Sequence, residues 1–345
     1  MRAHIKRLLF ILRDKDKKGH LTILWEVVQL IILKRGFPVF YFARFFYKRN
    51  MPFPKDYMNF KEYRSIIYSK KLFRQTTASL LGNKICFALM CEKKSLPGPK
   101  TIGYNIFNSF FIEKDTMSIV SLNEFKEYLI KIHESSSTER VFIKASESKG
   151  GKGVYMITLD SSDDEVENLW NNVKRGAYVF QETIMQHEAV NKIYPNSINT
   201  VRIETYLNNS GGIEILGGYM RFGAGTSHVD NVSSGGFFVP IDFASGQLRK
   251  HGYTALIYGS DFITNHPTTN HPISGFKVPY FFEAIELCKK FANYIPNRII
   301  GWDVAITPTG PLIIEGNHDA AIIAGEYSYG GFKKHNAFKE IMASI

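Results

Sequence analysis

Three residues near the C-terminus have the types and spacing of a metal site. Asp303 lies in one apolar run, and Glu315 and Asn317 lie in a second run that follows the turn Pro308-Thr309-Gly310. Two strands joined by such a turn place Asp303 beside Glu315, and Asn317, two residues on, shares the face of Glu315. Carboxylate and amide oxygens suit a hard cation such as Mg²⁺. A surface hairpin with solvated acids is the alternative interpretation.

The glycine-rich segment 148–153 is the second candidate for chemistry. It joins two predicted strands, residues 141–144 and 153–157, whereas the common nucleotide-binding glycine loops lead into helices. A glycine hairpin can fold over a triphosphate and offer backbone N–H groups, with Lys144 projecting beneath it from the strand. An ordinary hairpin turn is the alternative.

Composition limits the class of protein. A chain of 345 residues with 44% hydrophobic content is expected to form two or three subdomains with globular cores. Three scattered cysteines, Cys86, Cys91 and Cys288, do not make a disulfide framework, and no secretory signal is evident. The apolar run 21–33 is too short to span a bilayer. We therefore expect a cytoplasmic protein, with the inner face of the membrane as the alternative location.

Positive charge is concentrated at the N-terminus, within a basic, aromatic-rich region predicted to be helical over residues 1–78. Residues 1–50 hold twelve Lys and Arg and three acids, a net charge of +9 out of +11 for the whole chain. Thr22, Glu26 and Gln29 predict a helix with one polar stripe and a broad apolar face. Such helices can meet an anionic membrane surface or pack onto the main body with their cations solvated, and the pattern favours packing. No motif for nucleic-acid binding accompanies the charge, so no nucleic acid is expected as a partner.

Hydrophobic periodicity and turn residues predict the remaining elements. Short gaps between the strands of the second half indicate an antiparallel sheet. The predicted helices cover residues 79–90, 122–133 and 279–293, and the further predicted strands cover residues 178–182, 200–207, 213–220 and 236–241.

Several short motifs follow one another between Lys84 and Asn317, a stretch that covers about two thirds of the chain. They are Asn83-Lys84 before Leu96-Pro97-Gly98-Pro99, Lys144 with its glycine loop, and the segments 179–182, 197–202, 219–221, 230–236, 302–303 and 315–317. In this order they resemble the ATP-grasp superfamily, most closely its sugar-transfer-associated branch. The resemblance implies an α+β fold in which two lobes clamp ATP. The first lobe, with its glycine-rich lid, would cover residues 79–177, and the second, with the metal and acceptor sites, residues 178–345.

The resemblance also implies roles in nucleotide binding. Lys84 and Lys144 would contact phosphates, and Asp303, Glu315 and Asn317 would hold Mg²⁺. The lid would be formed by Gly150, Gly151 and Gly153, the adenine hinge by Gln181 and Glu182, and the ribose contact by Glu188. Lys84 as an ordinary surface helix residue is the alternative.

Arg202 and Arg221 would face the transferred phosphoryl group, where a guanidinium offsets developing charge. Pairing of Arg221 with Glu204 or Glu214 is the alternative. The loop 223–236 would receive the acceptor, and Asn231 in this loop is taken as a catalytic candidate. His228, in the same loop, is interpreted as a solvent-facing or structural group rather than a base.

The resemblance implies an ATP- and Mg²⁺-dependent ligase that joins a carboxylate to an amine through an acyl phosphate. Its small-molecule substrate would be an amino acid, amino sugar or sugar acid used in surface polysaccharide or glycoconjugate biosynthesis. The alternatives are a kinase of a small hydroxylated substrate and a peripheral membrane binding protein switched by nucleotide.

Overall fold

The computed structural model describes residues 9–148, 153–255, 258 and 261–345. Two six-stranded antiparallel sheets, each with helices packed against it, follow a helical N-terminal region. This architecture confirms the predicted α+β fold class.

The N-terminal region contributes α1 (His20–Lys34), α2 (Val39–Ala43) and α3 (Phe60–Ile67). Two further helices, α4 (Gln75–Gly82) and α5 (Lys84–Lys93), lead into the first sheet. The later helices are α6 (Leu122–Glu134), α7 (Asp163–Val173), α8 (Glu188–Asn191), α9 (Phe281–Ala292) and α10 (Ala337–Ala343).

The first sheet has the strand order β3-β2-β1-β6-β4-β5. Its strands are β1 (Thr101–Ile106), β2 (Ser109–Ile112), β3 (Asp115–Ser118), β4 (Val141–Ala145), β5 (Val154–Ile157) and β6 (Ala177–Glu182). Strands β4 and β5 pair antiparallel, as predicted, and residues 149–152 of the glycine-rich segment between them lie outside the described residues. The predicted lobe boundary after residue 177 falls at the start of β6, whose hydrogen bonds to β1 and β4 place it in this sheet.

The second sheet has the strand order β10-β9-β8-β7-β11-β12. Its strands are β7 (Val201–Leu207), β8 (Ile213–Phe222), β9 (Phe237–Asp242), β10 (Gln247–Leu248), β11 (Ile299–Thr307) and β12 (Gly310–Asn317). The antiparallel pairing predicted for this half of the chain is confirmed. One face of the sheet is apolar and packs on α9, where Phe291 lies against Trp302 with ring centroids 5.7 Å apart. The opposite face is therefore free to carry polar groups.

The predicted helix over residues 79–90 is in fact two helices that meet at Asn83. The Asn83 backbone is extended, and its side-chain oxygen accepts hydrogen bonds from the N–H groups of Ile85 and Cys86 at 3.1 and 3.0 Å. This is an N-cap, which begins a new helix because it satisfies backbone donors that have no partner inside the helix. The break fixes Lys84 at the first position of α5.

The N-terminal region packs through aromatic rings and a buried ion pair onto the segment Gly325–Ser328, which lies against the second sheet. Phe46 stacks on Tyr327 at 6.0 Å between ring centroids, and the Arg44 guanidinium lies 4.7 Å from the centre of the same ring. Arg44 also pairs with Glu326. The expectation that the N-terminal cations are solvated is wrong for Lys34, Arg44 and Lys48, which are buried in ion pairs. Lys18 is partly buried and also pairs with an acid.

None of the helices in the described part of the chain is both long and apolar enough to cross a membrane.

Removal of the Glu326 charge is expected to destabilise the fold strongly. This carboxylate accepts hydrogen bonds from the backbone N–H groups of Met58 and Phe332 at 3.0 and 2.9 Å, in addition to its pair with Arg44. Glu326→Gln leaves the Arg44 charge buried without a counter-charge, which should lower the free energy of unfolding by about 3–5 kcal/mol in urea titrations. Glu286→Gln, which breaks an exposed pair with Lys289, is the control and should lower it by no more than about 1 kcal/mol. Equal effects would contradict the structural role of Glu326.

Candidate active site

The polar face of the second sheet carries a row of side chains in cross-strand register. Tyr219 on β8 lies opposite Arg202 on β7, Arg202 lies opposite Asp303 on β11, and Asp303 lies opposite Glu315 on β12. Residues directly opposite each other in an antiparallel sheet project to the same face. Four neighbouring strands therefore bring together groups that are up to 113 positions apart in the sequence.

Asp303 is held between two guanidinium groups. Arg202 grips both carboxylate oxygens, through Nε and, at 3.1 Å, through Nη2. Arg221 approaches from β8, with its Nη2 2.9 Å from Oδ2. Asp303 is buried, and although burial alone would raise its pKa, the two arginines hold the pKa of this carboxyl well below its ordinary value. Asp303 is therefore ionised at all physiological pH values.

Arg221 is fixed in turn by a second acid and a hydroxyl. Its Nε lies 3.3 Å from Asp230 Oδ2, and both Nε and Nη2 donate to Thr200 Oγ1, at 3.0 and 2.6 Å. Thr200 donates from its backbone N–H and its hydroxyl to the same Asp230 oxygen. Arg221 also reaches Asn231 Oδ1 at 3.5 Å. The sequence alternatives of Glu204 and Glu214 as partners are wrong, because the register turns Arg221 toward Asp230 and Asp303.

Glu315 and Asn317 complete the group at the edge of this row. Asn317 Nδ2 lies 3.4 Å from Glu315 Oε1 and 3.5 Å from Asp303 Oδ2. Burial and the neighbouring Asp303 charge raise the pKa of Glu315 above its ordinary value. Two carboxylates side by side repel each other, so one of them holds a proton more tightly unless a cation lies between them.

The donor set fits a magnesium ion. Three guanidinium N–H groups contact the Asp303 carboxylate, and the Asn317 amide lies 3.5 Å from it, so a cation would take the remaining acceptor position when the amide turns away. Glu315 would supply a second oxygen, and Asn317 would supply a third with its amide turned over. Within the described residues no cluster of three His, Cys, Asp or Glu is placed to bind a metal, so the amide is needed to complete the set. Few protein ligands, all oxygens, are what Mg²⁺ uses beside a phosphate ligand.

Two lysines, one on α5 and one in the first sheet, lie close enough to interact electrostatically with Glu315. Lys84 donates from Nζ to the carbonyl of Ser148 at 2.6 Å, at the base of the glycine-rich segment. Lys144, on β4, is partly buried, and burial lowers its pKa to about 8, with the Glu315 charge opposing this shift and the Lys84 charge adding to it. No described carboxylate lies within ion-pair distance of Lys144. An anion bound beside Lys144 would stabilise its charged form.

The glycine-rich segment is described only at its ends. Gly150 and Gly151 lie outside the described residues. Gly153 has a φ of 62°, and its carbonyl accepts a hydrogen bond from the N–H of Ala145 at 2.8 Å. A Cβ at this position would lie 2.9 Å from the Ala145 Cβ, so glycine is required there.

The predicted hinge and ribose contacts have other partners in the structure. Gln181 donates to Thr101 Oγ1 at 3.2 Å within the first sheet. Glu182 pairs with Lys100 at 2.8 Å, and Glu188 is exposed and pairs with Lys192 at 2.9 Å. These three residues are therefore not joined to the Asp303 group by any direct contact among the described residues.

Sequence reasoning missed the importance of Glu204, which lies two residues after Arg202 and on the same face of β7. It is fully buried, neither carboxylate oxygen has a hydrogen-bond partner in the described chain, and burial raises its pKa to about 8. Gly325 makes room for it, since a Cβ there would collide with the carboxylate. The alternation of Arg202 and Glu204 with apolar neighbours was the available signal.

His228 is exposed, and its Nδ1 lies 3.2 Å from the carbonyl of Asn196. This agrees with the solvent-facing interpretation.

Comparison with known proteins identifies the relatives of this architecture. The family model described as sugar-transfer associated ATP-grasp matches residues 63–331. No curated protein matches the chain significantly.

Three solved structures are similar at low identity. N5-carboxyaminoimidazole ribonucleotide synthetase in its ADP complex has 13% identity and a TM-score of 0.40, with 70% of this chain and 45% of that chain covered. D-alanyl-alanine synthetase A from Vibrio cholerae has 12% identity and a TM-score of 0.43, with 78% and 65% covered. Phosphoribosylamine–glycine ligase from Thermotoga maritima has 15% identity and a TM-score of 0.40, with 71% and 49% covered. The chain thus spans between about half and two thirds of these proteins.

Magnesium is expected to stabilise the protein in a pH-dependent way. Metal binding needs the ionised form of Glu315, whose raised pKa keeps it protonated above its ordinary range. Added MgCl₂ should therefore raise the melting temperature by a few degrees at mildly alkaline pH and by less at mildly acidic pH. The shift should vanish in Glu315→Gln and persist in the control Glu286→Gln. If the melting temperature of Glu315→Gln rose as much as that of the wild type, the assignment of Glu315 as a metal ligand would be contradicted.

Proposed function

The chain belongs to the sugar-transfer associated ATP-grasp family, and from this premise we propose that it is an ATP- and Mg²⁺-dependent ligase. It would activate a carboxylate as an acyl phosphate for attack by an amine. One observation carries the proposal. Two arginines and two carboxylates share the polar face of the second sheet, and two lysines, from α5 and β4, lie close to them.

Phosphate binding is assigned to the lysines. Lys84 and Lys144 carry positive charge close to Glu315. Phosphates of ATP placed here would offset the mutual repulsion of the two ammonium groups. The lid residues Gly150, Gly151 and Gly153 would cover the phosphates, and Gln181, Glu182 and Glu188 would contact the adenine and ribose.

Magnesium binding is assigned to Asp303, Glu315 and Asn317, whose oxygens would hold the ion against the triphosphate. The ion would supply charge neutralisation between the phosphates. Arg202 positions Asp303 for this task, since its bidentate grip fixes the carboxylate.

Arg221 is the residue proposed to face the transferred phosphoryl group. Its contacts to Asp303, Asp230 and Thr200 lock the guanidinium in one orientation, so little reorganisation is needed as charge builds up. Asn231, beside it, would orient the acceptor carboxylate in the loop 223–236.

The reaction then needs only positioning and charge neutralisation from the protein. An oxygen of the substrate carboxylate attacks the γ-phosphorus, and the bond to the β,γ-bridging oxygen breaks to release ADP. The amine then attacks the carbonyl carbon of the acyl phosphate, the carbon–oxygen bond to phosphate breaks, and free phosphate leaves. The family description supports a sugar-linked substrate, such as an amino sugar, a sugar acid or an amino acid destined for a glycoconjugate.

Hydroxylamine trapping tests the chemistry before the amine is known. Hydroxylamine takes the place of the amine and converts an acyl phosphate into a stable hydroxamate plus phosphate. With ATP, MgCl₂ and a panel of amino acids and sugar acids, we expect hydroxamate and phosphate in equal amounts for at least one acid. Glu315→Gln should lower the rate by about a hundredfold or more, whereas Glu286→Gln should keep it.

The same assay separates the alternatives. A phosphorylated product that hydroxylamine leaves intact would indicate a kinase of a hydroxyl group and would contradict ligation. A Glu315→Gln variant that works at the wild-type rate would contradict the metal assignment.

A further inference from the structure

The inward side of helix α1 combines two apolar residues, Val27 and Leu30, with two charged ones. Its contact with the rest of the protein includes Glu26 and Lys34, both buried. Glu26 accepts from Lys18 Nζ at 2.8 Å and from the Tyr41 hydroxyl, and Lys34 donates to the carbonyl of Tyr57 at 2.7 Å. These bonds hold the helix in a fixed rotation about its axis. Of the predicted polar stripe, Glu26 is buried, Gln29 is half-buried and Thr22 is exposed.

The outward face of α1 is apolar. Five large side chains, spaced at i, i+3, i+4, i+7 and i+11, are between 47% and 83% exposed: Leu21, Leu24, Trp25, Val28 and Ile32. This spacing places them on one side of a helix about 22 Å long. Phe37, just beyond the helix, is also exposed and extends the row. Soluble surfaces rarely carry an apolar row of this length without a partner.

Exposed cations precede and follow this apolar face in the sequence. Arg13, Lys15, Arg35 and Arg49 are exposed, and Asp16 is the one exposed acid among residues 9–50. The other two acids of this stretch, Asp14 and Glu26, are buried in ion pairs. The outward face of the helix itself carries no acid.

We propose that α1 docks on an anionic lipid surface and inserts its apolar row among the lipids. This row consists of Leu21, Leu24, Trp25, Val28 and Ile32. An exposed apolar helix face flanked by Lys and Arg has the chemistry of an interfacial membrane helix. A second copy of the chain is the weaker occupant, because face-to-face association would bring together two segments of net charge +9. The proposal is independent of the ligase activity.

Vesicle sedimentation of the full chain tests the proposal. Wild-type protein should sediment with phosphatidylcholine vesicles that contain about one quarter phosphatidylserine, and much less with phosphatidylcholine alone or at high salt. The triple variant Leu24→Gln, Trp25→Gln, Ile32→Gln should lose at least about tenfold in partitioning. Because these side chains are exposed, the variant should fold normally. The matched control is Val120→Gln, Leu159→Gln, Met185→Gln, three exposed apolar residues outside the N-terminal region, and it should bind as wild type does.

A second readout reports insertion directly. Trp25 is exposed, whereas Trp170 and Trp302 are buried, so a blue shift of tryptophan emission on vesicle addition reports Trp25. Wild-type protein that stays in the supernatant with anionic vesicles would overturn the proposal. So would equal losses in the two triple variants, or light scattering that shows a dimer which only the α1 variant abolishes.

Discussion

The Asp303 carboxylate, held between Arg202 and Arg221, is the constraint on which the polar face depends. Arg202, Arg221 and Asp303 are all largely buried, so none of the three charges is well solvated by itself. Together they compensate one another, and removal of any one would leave the others unpaired in a low-dielectric site. Strand register makes this possible, since β7 presents Arg202 directly opposite Asp303 on β11. The apolar side of the same sheet locks that register through its packing on α9.

The remaining groups of the site take their properties from this arrangement. Glu315 has a raised pKa because it is buried and because it lies beside the ionised Asp303. Lys144 has a lowered pKa because it is buried and lies near the Lys84 charge, and the Glu315 charge only partly opposes this shift. Glu315 thus holds its proton more tightly than usual, and burial destabilises the ammonium form of Lys144, so the group is suited to accept a cation and a polyanion together. A bound cation would therefore offset the charge of the two carboxylates, and a bound polyanion would offset the charge of the lysines.

Sequence reasoning recovered the parts of the fold that local pattern determines. The β11–β12 hairpin, with Asp303 opposite Glu315, follows from alternation and a turn. The partners of Arg221 could not be found this way, because they depend on which strand lies next to β8 and on the path of the loop that holds Asp230. The rotation of α1 could not be predicted from the sequence of the helix, since the partners of Glu26 and Lys34, such as Tyr41 and Glu62, come from outside it. The hinge and ribose contacts remain predictions.

Calorimetric titration with ATP, with and without Mg²⁺, tests most directly whether the lysines and the acid row form one nucleotide site. Wild-type protein should bind ATP in a Mg²⁺-dependent manner, and Lys144→Ala should weaken binding by at least about tenfold, because a partly buried ammonium group that faces the phosphates is lost. Lys290→Ala, at an exposed position on α9, should bind as wild type does. Absence of ATP binding under every condition, or unchanged affinity in Lys144→Ala, would contradict the account.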